Sequence, residues 1–247
     1  MKNTPLLEPF PYEDFQQALG TLKSALARTS AYALVTGESG SGKTTLLRCL
    51  AAQLDRRRFH ILYLSHGQPS PSSFVRLLAE SFHLPARRTR AETSRLLVPT
   101  LRNQPTRVLL SIDEAQPLAD ETLQEIRLLA EADPDGAPLF SVILCGLPSL
   151  RERLLAPHLF PFWRRLRPRV TLTGLRREEL PAFLTHHLGK DGLARFETPA
   201  ALDVLFEQAR GLPALIRDRA EDCLKACPKG TLSGPQVAEI LDRMDAA

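Results

Sequence analysis

The segment Gly37-Glu38-Ser39-Gly40-Ser41-Gly42-Lys43-Thr44 sets three glycines, a lysine and a hydroxyl at the spacing G-x-x-x-x-G-K-[ST], with Thr45 directly behind. Each residue type suits one part of holding a phosphate chain. Glycines reach backbone torsions closed to other residues, so successive amides can turn inward as an anion nest at the start of a helix. Lys43 would reach the outer phosphates and act on them during their transfer. The Thr44 hydroxyl would ligate a magnesium ion. The expected ligand is ATP with Mg²⁺, and the expected contacts are Gly37, Glu38, Ser39, Gly40, Ser41, Gly42, Lys43, Thr44 and Thr45.

Such a loop needs a carboxylate to complete the metal shell and, for hydrolysis, a base to orient water. Asp113-Glu114 follows the apolar run Val108-Leu109-Leu110-Ser111-Ile112. Asp113 is expected on the Mg²⁺ shell and Glu114 as the base that polarises the attacking water. The competing reading is a solvated acidic pair at the start of the next helix, where the helix dipole favours negative charge.

These residues need a scaffold that presents strand ends together. Short apolar runs without alternation predict strands over 31–36, 59–64, 108–112, 139–145 and 170–172, a pattern that indicates a parallel sheet covered on both faces. Helices are predicted through Leu19, Leu22 and Leu26, through Leu46, Leu47, Leu50 and Leu54, from Phe74 to Phe82, and from Glu121 to Glu131. From about Arg176 the pattern is helical only, with segments over 178–188, 200–210 and 214–227. A fourth starts at a capping-box pair, Ser233 and Gln236, flanked by a staple of Leu232 and Val237. Thr198-Pro199 reads as an N-cap followed by proline at the first helical position.

The glycine loop, Leu110-Ser111-Ile112-Asp113-Glu114-Ala115-Gln116, and Ile143-Leu144-Cys145-Gly146-Leu147-Pro148-Ser149-Leu150 together resemble the ExeA-like group of AAA+ ATPases. That group includes the TnsC and TniB transposition ATPases and is distantly similar to IstB-type helpers. The resemblance runs from about Phe10 to the C-terminus. Its most specific parts are the D-E-A-Q ending, the G-x-P-x-L after the fourth strand, and Gly211-Leu212-Pro213. It implies an N-terminal extension over 1–30, an α/β nucleotide domain over 31–175 with parallel sheet order 5-1-4-3-2, and an all-helical lid over 176–247.

The resemblance also implies roles for arginines. Phe162-Trp163-Arg164-Arg165-Leu166 occupies the place of an arginine finger, with Arg165 first and Arg164 second, acting in trans on a neighbour's nucleotide. Two positions depart from the group. Leu147 stands where a polar sensor is usual, and Ala214 where a sensor arginine is usual; Arg217, one turn on, is placed to substitute at the nucleotide. Slow, switch-like ATP hydrolysis is the expectation. The region after the second strand contacts DNA backbone in the transposition ATPases, which points to Arg87, Arg88 and Arg90. Implied partners are double-stranded DNA with little sequence preference, a transposase, and further copies of the chain in a ring or helical filament.

The bulk properties fit this reading. Of 32 basic residues against 28 acidic, 26 are arginine, a bias suited to a phosphate-rich partner and also produced by a GC-rich genome. No apolar run approaches the ~20 residues of a membrane span, and Met1-Lys2-Asn3-Thr4-Pro5 lacks a secretory apolar stretch. Cys49, Cys145, Cys223 and Cys227 are expected as reduced thiols in a cytoplasmic protein. The alternatives are an ExeA-type secretion ATPase, a stand-alone signalling P-loop NTPase and a small-molecule kinase. The chain ends at Ala247 without the membrane segment or envelope-binding domain usual in the first of these, and Glu114 and the helical C-terminus weigh against the kinase.

Overall fold

The computed structural model describes residues 9–28, 31–65, 68–133, 136–196 and 198–245. The expected domain boundary at Ser30 lies outside the described residues. The chain divides into two compact units. One holds Ala18–Gly37 and Leu46–Thr171, and the other holds the described residues up to Gln17, Glu38–Thr45 and Leu172 onward.

The first unit is built on five strands: β1 (Tyr32–Gly37), β2 (Phe59–Leu64), β3 (Arg107–Ile112), β4 (Ser141–Gly146) and β5 (Arg169–Leu172). Their order is β2-β3-β4-β1-β5, the expected 5-1-4-3-2 arrangement. The β2–β3, β3–β4 and β4–β1 pairs are parallel, with Leu62 opposite Leu110, Ile112 opposite Leu144 and Thr36 opposite Gly146. The C-terminal ends of β1 and β3 therefore lie along one edge of the sheet, on either side of β4, and ligands of open α/β sheets bind at such edges. β1 and β4 are buried throughout, which is why neither shows polar alternation.

Helices α1 (Glu13–Arg28), α2 (Lys43–Gln53), α3 (Pro71–Ser81), α4 (Arg90–Arg102), α5 (Asp120–Ala130), α6 (Pro148–Leu154) and α7 (Phe160–Arg165) follow the strands or precede them. Leu34, Leu110, Val142 and Leu144 pack in one cluster with Phe74 and Val75 of α3 and with Leu123 and Ile126 of α5. α4 was not expected from periodicity, because three arginines and Pro99 interrupt its apolar pattern. It is set by a capping box: Glu92 N–H donates to Thr89 Oγ1 at 3.2 Å, and Thr89 N–H to Glu92 Oε2 at 3.3 Å. Leu97 and Leu101 then bury against the cluster. Truncating Leu97 to alanine there would cost about 2–5 kcal/mol.

The second unit carries α8 (Leu180–Ala194), α9 (Pro199–Gln208), α10 (Pro213–Ala226) and α11 (Gly234–Asp245), the four helices expected at this end of the chain. Thr198 caps α9 as expected, its Oγ1 accepting from Ala201 N–H at 3.2 Å. At α11 half of the expected box forms. Ser233 N–H donates to Gln236 Oε1 at 2.9 Å, but the serine hydroxyl turns to the same oxygen rather than to a helix amide. Leu232 and Val237, the expected staple, are both buried. The four cysteines form no disulfide, and burial pushes the Cys223 thiol up to about 11. Among the described residues no helix is long and apolar enough to cross a membrane.

Candidate nucleotide-binding site

The glycine loop leaves β1 at Gly37 and enters α2 at Lys43, the strand–loop–helix setting that the motif requires. Gly40 and Gly42 adopt φ of +82° and +94°, torsions that side chains beyond glycine rarely reach. Space makes the same demand at Gly42, where a Cβ would sit 2.9 Å from the Tyr12 hydroxyl. Lys43 is buried, and its ammonium donates to the Glu38 carbonyl at 2.9 Å, folding the side chain back over the loop. Ser41 N–H closes a turn onto that carbonyl at 3.1 Å. The Ser41 hydroxyl is buried without a hydrogen-bond partner among the described residues. An orphaned hydroxyl, alternating positive-φ glycines and a buried cation fit a bound polyphosphate.

Two further contacts of the loop come from the unit that holds Glu38–Thr45. Tyr12, the residue before α1, donates its hydroxyl to the Ser41 carbonyl at 2.5 Å, and Ala214 at the start of α10 donates its N–H to the Gly40 carbonyl at 3.2 Å. A groove beside Glu38 and Ser39 is lined further by Thr173, Arg210, Leu212 and Arg219.

In the sheet unit, Asp113 follows β3 and is buried. Its Oδ2 accepts from the Tyr63 hydroxyl at 2.7 Å, and its Oδ1 accepts the Glu114 N–H at 3.0 Å. Burial and the Asp113 carboxylate raise the Tyr63 phenol above its usual range, so it stays a donor. These bonds fix the Asp113 carboxylate, a hard oxygen donor of the kind magnesium takes. Glu114 sits at φ +50°, left-handed backbone for a non-glycine residue, of the sort that gathers at functional sites. Its carboxylate accepts from the Gln116 side-chain amide. Gln116 Oε1 in turn accepts the Leu147 N–H at 3.3 Å, and Arg153 of α6 donates to the Gln116 carbonyl at 2.5 Å.

Three of the predicted arginines hold ion pairs. Arg165 is half-exposed at the end of α7 and ion-pairs with Glu131, and Arg164 beside it is exposed. Arg217 is exposed on α10 and bonds Asp218 through Nε at 3.0 Å and Nη2 at 2.8 Å. Arg87 and Arg88 are exposed just before α4, whereas Arg90 opens that helix and pairs with Glu125 at 3.1 Å. Tyr12 and Gln116 had no assigned role in the sequence reading. Gln116 lay inside the D-E-A-Q motif, but only tertiary structure shows what it and Tyr12 touch.

A family model described as an AAA domain matches residues 27–154. General secretion pathway protein A of Aeromonas hydrophila is 30% identical over 215 residues, covering 83% of this chain and 39% of that protein, so the chain spans well under half of its length. Among solved structures, the ORC2 protein of Aeropyrum pernix in its ADPNP–ADP complexes has a TM-score of 0.64 at 16% identity, covering 92% of this chain and 66% of that one. Cdc6p of Pyrobaculum aerophilum has a TM-score of 0.64 at 24% identity, covering 90% and 63%. At these identities the two structures establish a shared fold.

Proposed function

Because the chain belongs to the AAA domain family, we propose that it binds ATP with Mg²⁺, hydrolyses the ATP slowly, and uses that cycle to control assembly on duplex DNA in transposition. The observation that carries the nucleotide reading is the loop itself, with Gly40 and Gly42 at positive φ, Lys43 buried and the Ser41 hydroxyl orphaned. Residues Gly37 to Thr45 hold the phosphates, with Lys43 on the outer two. Thr44 and Asp113 hold the magnesium, which when bound neutralises charge on the phosphate oxygens. Glu114 accepts a proton from the attacking water as the γ-phosphorus parts from its bridging oxygen. Arg165, with Arg164 as second choice, serves the nucleotide of a neighbouring copy in a ring or filament, which requires Arg165 to leave Glu131. Arg217 joins the nucleotide only by leaving Asp218, so the sensor role passes to it less readily than spacing alone suggests.

Exposed Arg87 and Arg88 support the DNA reading, since each neutralised phosphate releases counterions and adds affinity without sequence preference. Arg90, held by Glu125, contributes less. A transposase is the protein partner on this reading, and the cytoplasm the site of action. The 30% identity to general secretion pathway protein A favours a second reading, an ATPase module of a secretion system. Binding to duplex DNA, measured at several salt concentrations with and without ATP, separates the two. ATP-dependent, salt-sensitive binding supports the transposition reading, and no binding at any salt removes it.

A further inference from the structure

The phosphate loop is held from outside by a residue that its motif does not include. Tyr12 is 3% exposed, and its hydroxyl donates to the Ser41 carbonyl at 2.5 Å. In a trans peptide the C=O and the following N–H point to opposite sides. Fixing the Ser41 carbonyl toward Tyr12 therefore turns the Gly42 N–H away from it. Gly42 is the glycine directly before Lys43, and its amide is one of those that the nest must aim at phosphate. The Tyr12 ring is backed by Phe15, with centroids 5.5 Å apart.

Tyr12 is itself anchored. Its neighbour Glu13 donates a backbone N–H to Glu179 Oε1 at 2.8 Å, and the Glu13 carboxylate pairs with Arg176. Asp14 Oδ2 accepts from Thr173 N–H at 2.6 Å and from the Thr173 hydroxyl at 2.9 Å. Phe10 meets Phe183 of α8 edge-on at 5.5 Å. Residues 10–14 thus form a strap with the loop on one side and the entry to the helices on the other. Burial and the neighbouring carboxylates of Asp14 and Glu179 keep the Tyr12 phenol protonated, so the donor persists across the physiological pH range.

Resting on the nucleotide reading above, we propose that Tyr12 is a positioning residue for phosphate recognition: its hydroxyl holds the Ser41–Gly42 peptide so that the Gly42 amide faces the bound phosphates. A role in contacting the base would make a different demand, and the ligand tells them apart.

The test compares wild type with Tyr12→Phe, which removes one oxygen, for affinity to ATP and to inorganic tripolyphosphate. Loss of one buried hydrogen bond predicts about tenfold weaker binding of both ligands. Tyr12→4-aminophenylalanine restores a donor and should recover most of that loss, whereas a general packing defect would persist. Unchanged affinity for tripolyphosphate, with or without a loss for ATP, overturns the proposal. Wild-type protein that binds neither ligand overturns the ATP reading itself, a different result from a variant that matches a competent wild type.

Discussion

Gln116 bridges Glu114 to the end of β4, giving its side-chain amide to the Glu114 carboxylate and taking the Leu147 N–H on Oε1 at 3.3 Å. An amide side chain has both a donor and an acceptor, so it can relay between a carboxylate on one side and an N–H on the other. Leu147, which stands where a polar sensor is usual in the resembling group, makes this bond through its backbone. Gly146 leaves room for this link, because a Cβ there would lie 2.7 Å from Gln116 Oε1.

Gln116→Leu keeps the approximate volume and removes both bonds. Turnover of ATP should fall about tenfold or more, because the base loses its orientation, while the KM for ATP changes little. Steady-state kinetics across an ATP series check this. An equal loss in affinity would instead mark Gln116 as a structural support of the strand ends.

The Arg165–Glu131 pair sets the expectation for assembly. Arg165→Ala should retain ATP binding and lose most turnover, and mixing it with Lys43→Ala should restore part of the activity, each variant supplying the half that the other lacks. Activity of the mixture no greater than the sum of its parts would remove Arg165 from a trans role. At a half-exposed ion pair, little stability should be lost in the single variant.

Replacing Arg87 and Arg88 together with alanine should weaken binding to every duplex sequence alike. It should also flatten the salt dependence by roughly one unit of slope per lost phosphate contact. ATP turnover without DNA should be unaffected. Normal binding at all salts would place the DNA surface elsewhere.

Much of the architecture was legible because parallel strands buried on both faces write themselves as unbroken apolar runs, as in Ala33–Val35 of β1 and Val142–Cys145 of β4. The loop was legible because its chemistry needs glycines at fixed spacing. α4 was not, since its buried face is little more than Thr93, Leu97 and Leu101 within an arginine-rich, proline-containing stretch. Its start was nevertheless written in Thr89 and Glu92, a capping pair hidden among basic residues. The contact between Tyr12 and Ser41 spans 29 positions, and nothing local to either residue encodes it. The same holds for Arg90 and Arg165, whose acidic partners Glu125 and Glu131 lie far along the chain.

ATP binding and ATP turnover, measured side by side on wild type, Lys43→Ala and Glu114→Gln, test the proposed chemistry most directly. Wild type should bind and hydrolyse ATP. Lys43→Ala should lose most affinity while remaining folded, because the buried cation over the loop is gone. Glu114→Gln should bind ATP as wild type does and lose turnover by ~10²-fold or more, because an amide does not take a proton from water. Full ATP affinity in Lys43→Ala, or unchanged turnover in Glu114→Gln, would contradict the assignment of the phosphate loop and of its base.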